Sequence, residues 1–345
     1  MSGNTIGTTI AEPAAATLPA PRGPLSAAVL AALSQSPPAK VFPPVAAAAD
    51  PLGEDLQLAL YTCYELHYRG FDGVDPDWEW EPELLRLRAA MERGFLAAVR
   101  SRIDGGADVT SALDELLVEH VDARGVSHHL RDTGTWWQLR EYVAHRSIYH
   151  LKEADPHAWV IPRLQGQAKA SLVAVEFDEF GGGRGERMHA RLFADLMEGV
   201  GLDPAYGRYL DVVPAVMLAT VNLMSLFGLH RGLRGALVGH FAAAEITTAP
   251  SAQRMARGLD RLGAGPRCTE FFTEHIEADA VHEQIMRRDV IGDLLSREPG
   301  LAADVVLGVQ ATELLEARLG DHLLDHWRSG RSSLLRALPA HPGPA

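Results

Sequence analysis

A chain of 345 residues, 47% of them hydrophobic, is long enough to bury a sizeable core in one large or two ordinary domains. With 32 Lys and Arg against 45 Asp and Glu, the net charge of −13 disfavours a polyanion-binding surface; no Lys/Arg-rich tract offsets it, so nucleic acid is not an expected partner. Cys63 and Cys268 make no disulfide framework, the first residues lack the basic start and apolar run of a secretory signal, and no segment reaches about 18 uninterrupted apolar residues, so a cytoplasmic protein without a membrane span is expected.

Residues 1–50 are rich in Ala, Pro and small polar residues and read as a flexible arm or packed extension, with a short helix at "LSAAVLAALSQ". From residue 51 the apolar spacing becomes helical, predicting helices over 54–69, 82–102, 109–124 and 136–155, the last closed by Asp155-Pro156. Next come 163–180, a break at Gly181-Gly182-Gly183, and a helix over 185–199. The remaining segments are 205–229, 232–248, 251–262, 267–296 and 301–330, and the tail "HPGPA" should be loose. No β-branched alternating tract demands a sheet and no repeat recurs at a fixed period, so the expected fold is all-α with one main domain. Asn222, inside the strongly apolar "PAVMLATVNLMSLFGLH", reads as a core amide with its hydrogen bonds satisfied.

The stretch "FFTEHIEADAVHEQI" carries the first chemical signal. On a helix, His275, Asp279 and His282 fall within about 60° of one another, on the side that also takes Phe271, Phe272, Ala278 and Met286. Two imidazoles and a carboxylate in an apolar stripe need hydrogen-bond partners or a metal ion to offset their desolvation. Other buried faces supply matching groups. Glu245 shares a helix face with Phe241, Val238 and Ala242, while His240 projects away. Glu179 shares a face with Ala168, Leu172 and Val175 just before the glycine run, and a break there turns His189 back toward it. Glu153 follows Tyr142, Arg146 and Tyr149, with His150 and His157 as alternative ligands and an Arg146–Glu153 ion pair as the purely structural alternative. The candidate donors are thus Glu153, Glu179, His189, Glu245, His275, Asp279 and His282. Hard oxygen and borderline nitrogen donors suit iron, manganese or zinc, and seven exceed one structural zinc, which favours two ions bridged by a carboxylate. Redox chemistry does not follow from the donor count, because a two-metal site also suits hydrolysis.

At these residues the chain resembles the haem-oxygenase-like non-haem di-iron oxidase superfamily, the proteins described as iron-containing redox enzymes. The resemblance covers about residues 135–300 and rests on "SIYHLKEADPHAWVIPRL", "VEFDEFGGGRGERMH", "LMSLFGLHRGLRGALVGHFAAAEIT" and "EHIEADAVHEQI" in that order. It implies a haem-oxygenase-like bundle of about seven core helices without haem, additional N-terminal helices, two ferrous ions, O2 as co-substrate, an external electron source and a small organic substrate. It also implies one iron held chiefly by His189 and His282 and the other by His275, Asp279 and Glu245, with Glu179 or Glu153 bridging. The expected organisation is an extension over 1–50, a helical extension over 51–134, the metal-binding domain over 135–330 and a tail over 331–345, with room for a homodimer and no role for a membrane. Nothing resembles the cupin domain that accompanies some relatives. Arg163, Trp136, Trp137, Phe271, Phe272 and Tyr149 are candidate pocket residues.

Three other readings compete with this one. Glu186-x-x-His189 is a ferritin-like di-iron element, but a full version wants a second one and the chain offers only Asp279-x-x-His282. Non-redox metal-assisted hydrolysis fits the same donors, and a non-enzymatic helical binding protein would pair its interior polar groups with one another.

Overall fold

The apolar stripes read from the sequence close on one another as helices in the computed structural model, which describes residues 16–38, 42, 49–118, 124–341 and 343, and only the backbone of 277–280. Among the described residues there are helices and no strands. They run α1 Pro24–Leu33, α2 Glu54–Glu65, α3 Pro82–Arg100, α4 Val109–Leu116, α5 Val126–Asp132, α6 Trp136–His150 and α7 Asp155–Ala158. Beyond these come α8 Gly166–Glu179, α9 His189–Gly199, α10 Ala215–Leu229, α11 Arg234–Arg261, α12 Pro266–Gln284, α13 Gly292–Arg297 and α14 Ala302–Arg328. None is long and apolar enough by itself to cross a membrane.

Local chemistry sets several boundaries. Pro82 opens α3, where its missing N–H costs nothing, and the Glu81 carboxylate accepts from the Leu84 N–H at 2.8 Å. Residues 205–213, expected as helix, are turns: Gly207 has φ 71° and Pro214 becomes the N-cap of α10. Conversely, α11 runs through Pro250 rather than ending before it. The Thr247 and Thr248 hydroxyls donate to the carbonyls of Ala243 and Ala244, both at 2.8 Å, supporting the turn that leads into the proline. After α12 the backbone widens into a π segment over Ile285–Ile291, the kind of irregularity often found beside functional residues.

Helix α11 is the axis of the bundle, packed most extensively on α14 and α12. Two glycines make the α11–α14 approach close. A Cβ on Gly308 would stand 2.0 Å from the Ala236 carbonyl oxygen, and one on Gly239 would stand 2.1 Å from that of Val305. Gly308→Ala is therefore expected to push the helices apart and cost about 1–3 kcal/mol, visible as a lower melting temperature.

Described segments near both ends of the chain are tied to this bundle. In α1, Leu25, Val29 and Leu33 are buried, and Ser26 binds Asp55 through its N–H and its hydroxyl, both at 2.7 Å. At the other end Ser333 is pinned to the Glu141 carboxylate by its N–H at 2.9 Å and its hydroxyl at 2.7 Å. Asn222 meets the expectation only on its donor side, giving hydrogen bonds to the Gln57 backbone and side-chain oxygens at 2.9 and 2.8 Å, while its buried Oδ1 accepts none.

Candidate metal centre

Five segments bring the polar interior together. α6 ends at His150, and the turn beyond it presents Glu153; α8 ends on Glu179; α9 begins on His189; α11 and α12 carry Glu245 and the two histidines. The glycine run makes the Glu179–His189 junction. Gly181, Gly182 and Gly183 have φ of 71°, 62° and 80°, and a Cβ on Gly181 would stand 2.6 Å from the Arg187 backbone. Only residues without a Cβ adopt that conformation readily, so the chain reverses here. His189 then returns with its Nδ1 2.9 Å from Glu179 Oε2.

Six of the seven sequence-derived donors meet in two buried sets. Donor atoms of Glu153, Glu179, His189 and His275 all lie within 4.8 Å of one another, and so do those of Glu179, Glu245 and His282. Glu179 belongs to both. The seventh, Asp279, lies on α12 between the two histidines, but its side chain is outside the described residues. Glu186 is exposed, so the Glu-x-x-His pairing does not form and Glu179 stands in its place.

The partition differs from the one the resemblance implied. His189 sits with His275 and Glu153, their two rings 4.3 Å apart, whereas His282 sits with Glu245 at 3.1 Å. The cause is axial: seven residues of helix separate His275 from His282 by about 10 Å, so two side chains sharing a face reach different points along it.

Do these residues fit a metal ion? His275 Nδ1 lies 2.6 Å from the Phe271 carbonyl, which can only accept, so Nδ1 carries a proton and Nε2 is turned toward Glu153 Oε1, 3.8 Å away. His189 Nδ1 is buried and close to Glu179, yet not in line for a hydrogen bond. Two electron-rich atoms that converge without sharing a proton are what a common cation requires. Ligands about 2.1 Å from one ion stand roughly 3–4 Å apart, which the two sets accommodate. Opposite Glu245, His282 places Nε2 3.1 Å from Asp178 Oδ2, the carboxylate–imidazole arrangement that orients metal-binding histidines.

Charge in the cluster is strongly perturbed. Burial acts to raise Glu153, but His150, at 2.8 Å, and His275 hold its carboxyl well below the usual range. Burial pushes Glu245 up to about 7, a rise moderated by the hydrogen bond from His282 and reinforced by Glu179. Burial acts to lower His282, yet Glu245 and Asp178 outweigh it and lift the imidazole to about 9. Tyr149 is held well above the ordinary phenol value first by burial and then by the charges of Glu153, Glu179, Glu176 and Glu245.

Glu176 escaped the sequence reading. It lies one turn before Glu179 on α8, is 3% exposed, and neither carboxyl oxygen has a hydrogen-bond partner. Burial, then Glu179 and Glu245, push it up to about 9. The signal was available as a second carboxylate three residues from the first, beside the same apolar face. Its proton is held more tightly in the fold than in the unfolded chain, so its stabilising contribution is complete below about pH 4.5 and is lost as pH rises toward about 9. Within that window the fold loses about 1.4 kcal/mol per pH unit from this group. Glu176→Gln should remove this group's share of the slope: melting temperatures of chelator-treated wild type and variant, compared from about pH 5 to about pH 8, should separate in favour of Gln as pH rises.

A cavity of about 640 Å³ reaches the cluster, lined at its inner end by Glu153, Glu179, Glu245 and His275 and by Tyr149, Phe271 and Phe272. Four further histidines, His145, His150, His157 and His240, line it, and all but His150 bury a ring nitrogen that has no protein partner. The Thr312 hydroxyl donates to the Gly308 carbonyl at 2.7 Å, so it must accept from His240 Nδ1, also at 2.7 Å, leaving His240 Nε2 as a lone-pair acceptor. His157, stacked on Phe241 at 4.1 Å, has no hydrogen-bond partner at either ring nitrogen. The remaining pocket candidates do other work. Arg163 donates to the Gly228 and Leu229 carbonyls at the end of α10, and Trp136 and Trp137 do not line the cavity. Nor does Arg146 pair with Glu153; it forks onto Glu316 at 2.8 and 2.5 Å.

An all-α bundle with such a buried carboxylate–imidazole cluster defines a metal-binding helical protein, and comparison with known families makes this specific. The model of a family described as iron-containing redox enzyme matches residues 140–317, about half the chain and the span within which the seven candidate donors lie, and this protein belongs to that family. Its all-α bundle is of the haem-oxygenase-like type. Among curated proteins it is 27% identical over 244 residues to a nitrosourea synthase from Streptomyces achromogenes subsp. streptozoticus, a match covering 68% of this chain and 52% of the relative. The chain thus spans about half the length of that relative.

Proposed function

We propose that this protein is a non-haem di-iron oxidase or oxygenase that uses dioxygen to oxidise, hydroxylate or cleave a small organic molecule held in the cavity beside Glu153 and His275. The single observation that carries this reading is Glu179, a buried carboxylate common to two sets of donors. Glu153, Glu179, His189 and His275 would hold one ferrous ion, and Glu179, Glu245 and His282 the other. Iron bound there supplies what no side chain can, electrons for dioxygen.

The chain's own residues do the rest. The Phe271 carbonyl and Asp178 fix the tautomers of His275 and His282, so each ring presents a chosen nitrogen to its set. Tyr149, protonated under ordinary conditions, lines the cavity along with Glu153, Glu179 and Glu245 and brings a phenolic proton to it. Phe271 and Phe272 keep the inner wall apolar and limit water beside the reacting groups. His157 and His240 offer the substrate hydrogen-bonding nitrogens that no protein group occupies. Reducing equivalents come from an external donor, and the protein works in the cytoplasm.

The test is to load the full chain anaerobically with ferrous iron, measure the stoichiometry, and follow the optical spectrum on mixing with O2. Uptake of two equivalents and a transient coloured species are expected. A folded protein that takes up no iron would overturn the proposal, and turnover sustained by zinc without oxygen would replace it with metal-assisted hydrolysis.

A further inference from the structure

Two buried imidazoles in the cavity wall have their lone pairs fixed by the same device. For His240 on α11, the Thr312 hydroxyl gives its proton to the Gly308 carbonyl, so Nδ1 donates to that hydroxyl and Nε2 is left as an acceptor. For His145 on α6, the Ser333 hydroxyl gives its proton to the Glu141 carboxylate at 2.7 Å, so Nε2 donates to it at 3.0 Å and Nδ1 is left as an acceptor. Burial keeps both rings neutral, lowering His145 well below the usual imidazole range and His240 to about 4. A neutral ring carries one N–H, and here each is already spent. His145 is 0% and His240 2% exposed, and neither His145 Nδ1 nor His240 Nε2 has a protein partner, a state that native interiors reserve for a ligand or a function.

Both rings line the cavity that reaches the metal cluster. His240 stands five residues before Glu245 on α11, and His145 five before His150 on α6, where His150 binds Glu153. At 1.5 Å per residue, each acceptor lies about 7–8 Å along its helix from the end that carries the metal donors. His157, its ring centre 5.2 Å from that of His240, adds an imidazole with both nitrogens unpartnered. The arginines of the lining do not supply an anion site at this depth: Arg146 forks onto Glu316, Arg254 donates to the Ser127 hydroxyl at 2.9 Å, and Arg124 is exposed. A carboxylate or phosphate here would face two fixed acceptors, whereas N–H or O–H groups satisfy both.

Resting on the reading that this cavity holds the substrate of a di-iron centre, we propose that the substrate carries N–H or O–H donors, and no carboxylate or phosphate, at its end remote from the metal, where His145 Nδ1 and His240 Nε2 accept from it.

The test uses the full chain, chelator-treated so that no probe can bind iron. Nitrogen NMR of the histidine rings at pH 7 should find the His240 proton on Nδ1 and the His145 proton on Nε2. Pentylamine and 1-pentanol should each bind at least about tenfold more tightly than pentanoate and shift the His240 Nε2 resonance. Tighter binding of the amine assigns the donors to a nitrogen base, and tighter binding of the alcohol to a hydroxylated substrate. Thr312→Val, which removes the hydroxyl that takes the His240 proton, should melt near wild type and bind both probes about tenfold more weakly. His240→Leu should give the same loss, so the result does not depend on one variant folding. Pentanoate bound as tightly as the others overturns the proposal, as do protons on the opposite ring nitrogens, affinities that neither variant changes, or no binding of any probe. Wild type that keeps this selectivity but takes up no ferrous iron overturns the di-iron reading alone, which keeps the two failures distinct.

Discussion

Glu179→Ala is expected to remove iron binding from both halves of the centre, lowering uptake from two equivalents to none at concentrations that saturate wild type. No other described donor belongs to both sets. Its loss would leave His189 and the Glu245–His282 pair without the anion between them, in an interior where each missing charge partner costs about 3–5 kcal/mol, or roughly a hundredfold or more in affinity. Two comparisons make the result specific. Glu245→Ala should spare the ion held by Glu153, His189 and His275 and remove only its neighbour. Glu186→Ala should change neither, because that side chain is exposed on the turn between Arg184 and Arg187. Anaerobic equilibrium dialysis with ferrous iron distinguishes all three, and retention of two ions by Glu179→Ala would mean that the centre is not organised around a shared carboxylate.

Much of this centre was legible because metal donors must be buried and polar at once. His275 and His282 stood in an apolar stripe, Glu245 shared a face with Phe241, and Glu179 ended an apolar face just before three glycines; burial of 1–5% at these four positions and at His189 follows directly. What angular reasoning discarded was height along the helix. It placed His275 and His282 in one direction and said nothing about which ion each would reach, so the partition among His189, His275, His282 and Glu245 came out crossed. Glu176 was lost for a different reason. Periodicity assigns a carboxylate at the margin of an apolar stripe to the surface, and only the packing of α8 in the folded bundle, chiefly against the π segment Ile285–Ile291, shows that Glu176 is covered.

The helices divide in the same way. Long amphipathic segments such as α3, α8 and α14 were readable from spacing, since an apolar stripe needs only a partner. α5, Val126–Asp132, was not, because its seven residues bury only Leu130 fully and offer no repeat. Proline misled in both directions. Pro250 continues a helix whose neighbouring threonines bond back to the preceding turn, while Pro214 starts α10 ten residues later than apolar content suggested. In each case the outcome depends on contacts made by other segments, which a linear pattern does not contain.

Lys152→Ala should be the most destabilising single change outside the donor set, and its effect should extend to the metal. The Lys152 ammonium lies 2.8 Å from Glu65 Oε2 with both side chains 1% exposed, while the Tyr206 hydroxyl donates to Glu65 Oε1 at 2.7 Å. The rings of Tyr61 and Tyr68 flank the ammonium at 4.8 and 4.3 Å, adding cation–π attraction where water cannot compete. Removing the cation strands Glu65 in the core at a cost of about 3–5 kcal/mol, a fall in melting temperature on the order of 10 °C. The double change Glu65→Leu with Lys152→Met, which removes both charges and keeps the volume, should recover most of that loss. Iron affinity separates stability from positioning. Lys152 immediately precedes Glu153, and Arg69 holds the Leu151 carbonyl at 2.9 Å, so the turn that presents Glu153 is fixed from both sides. If the buried pair positions that carboxylate, the double variant should melt near wild type yet bind the Glu153-side iron about tenfold more weakly, with the Glu245-side ion unaffected. Equal affinity for both ions would show that Lys152 and Glu65 serve the fold alone.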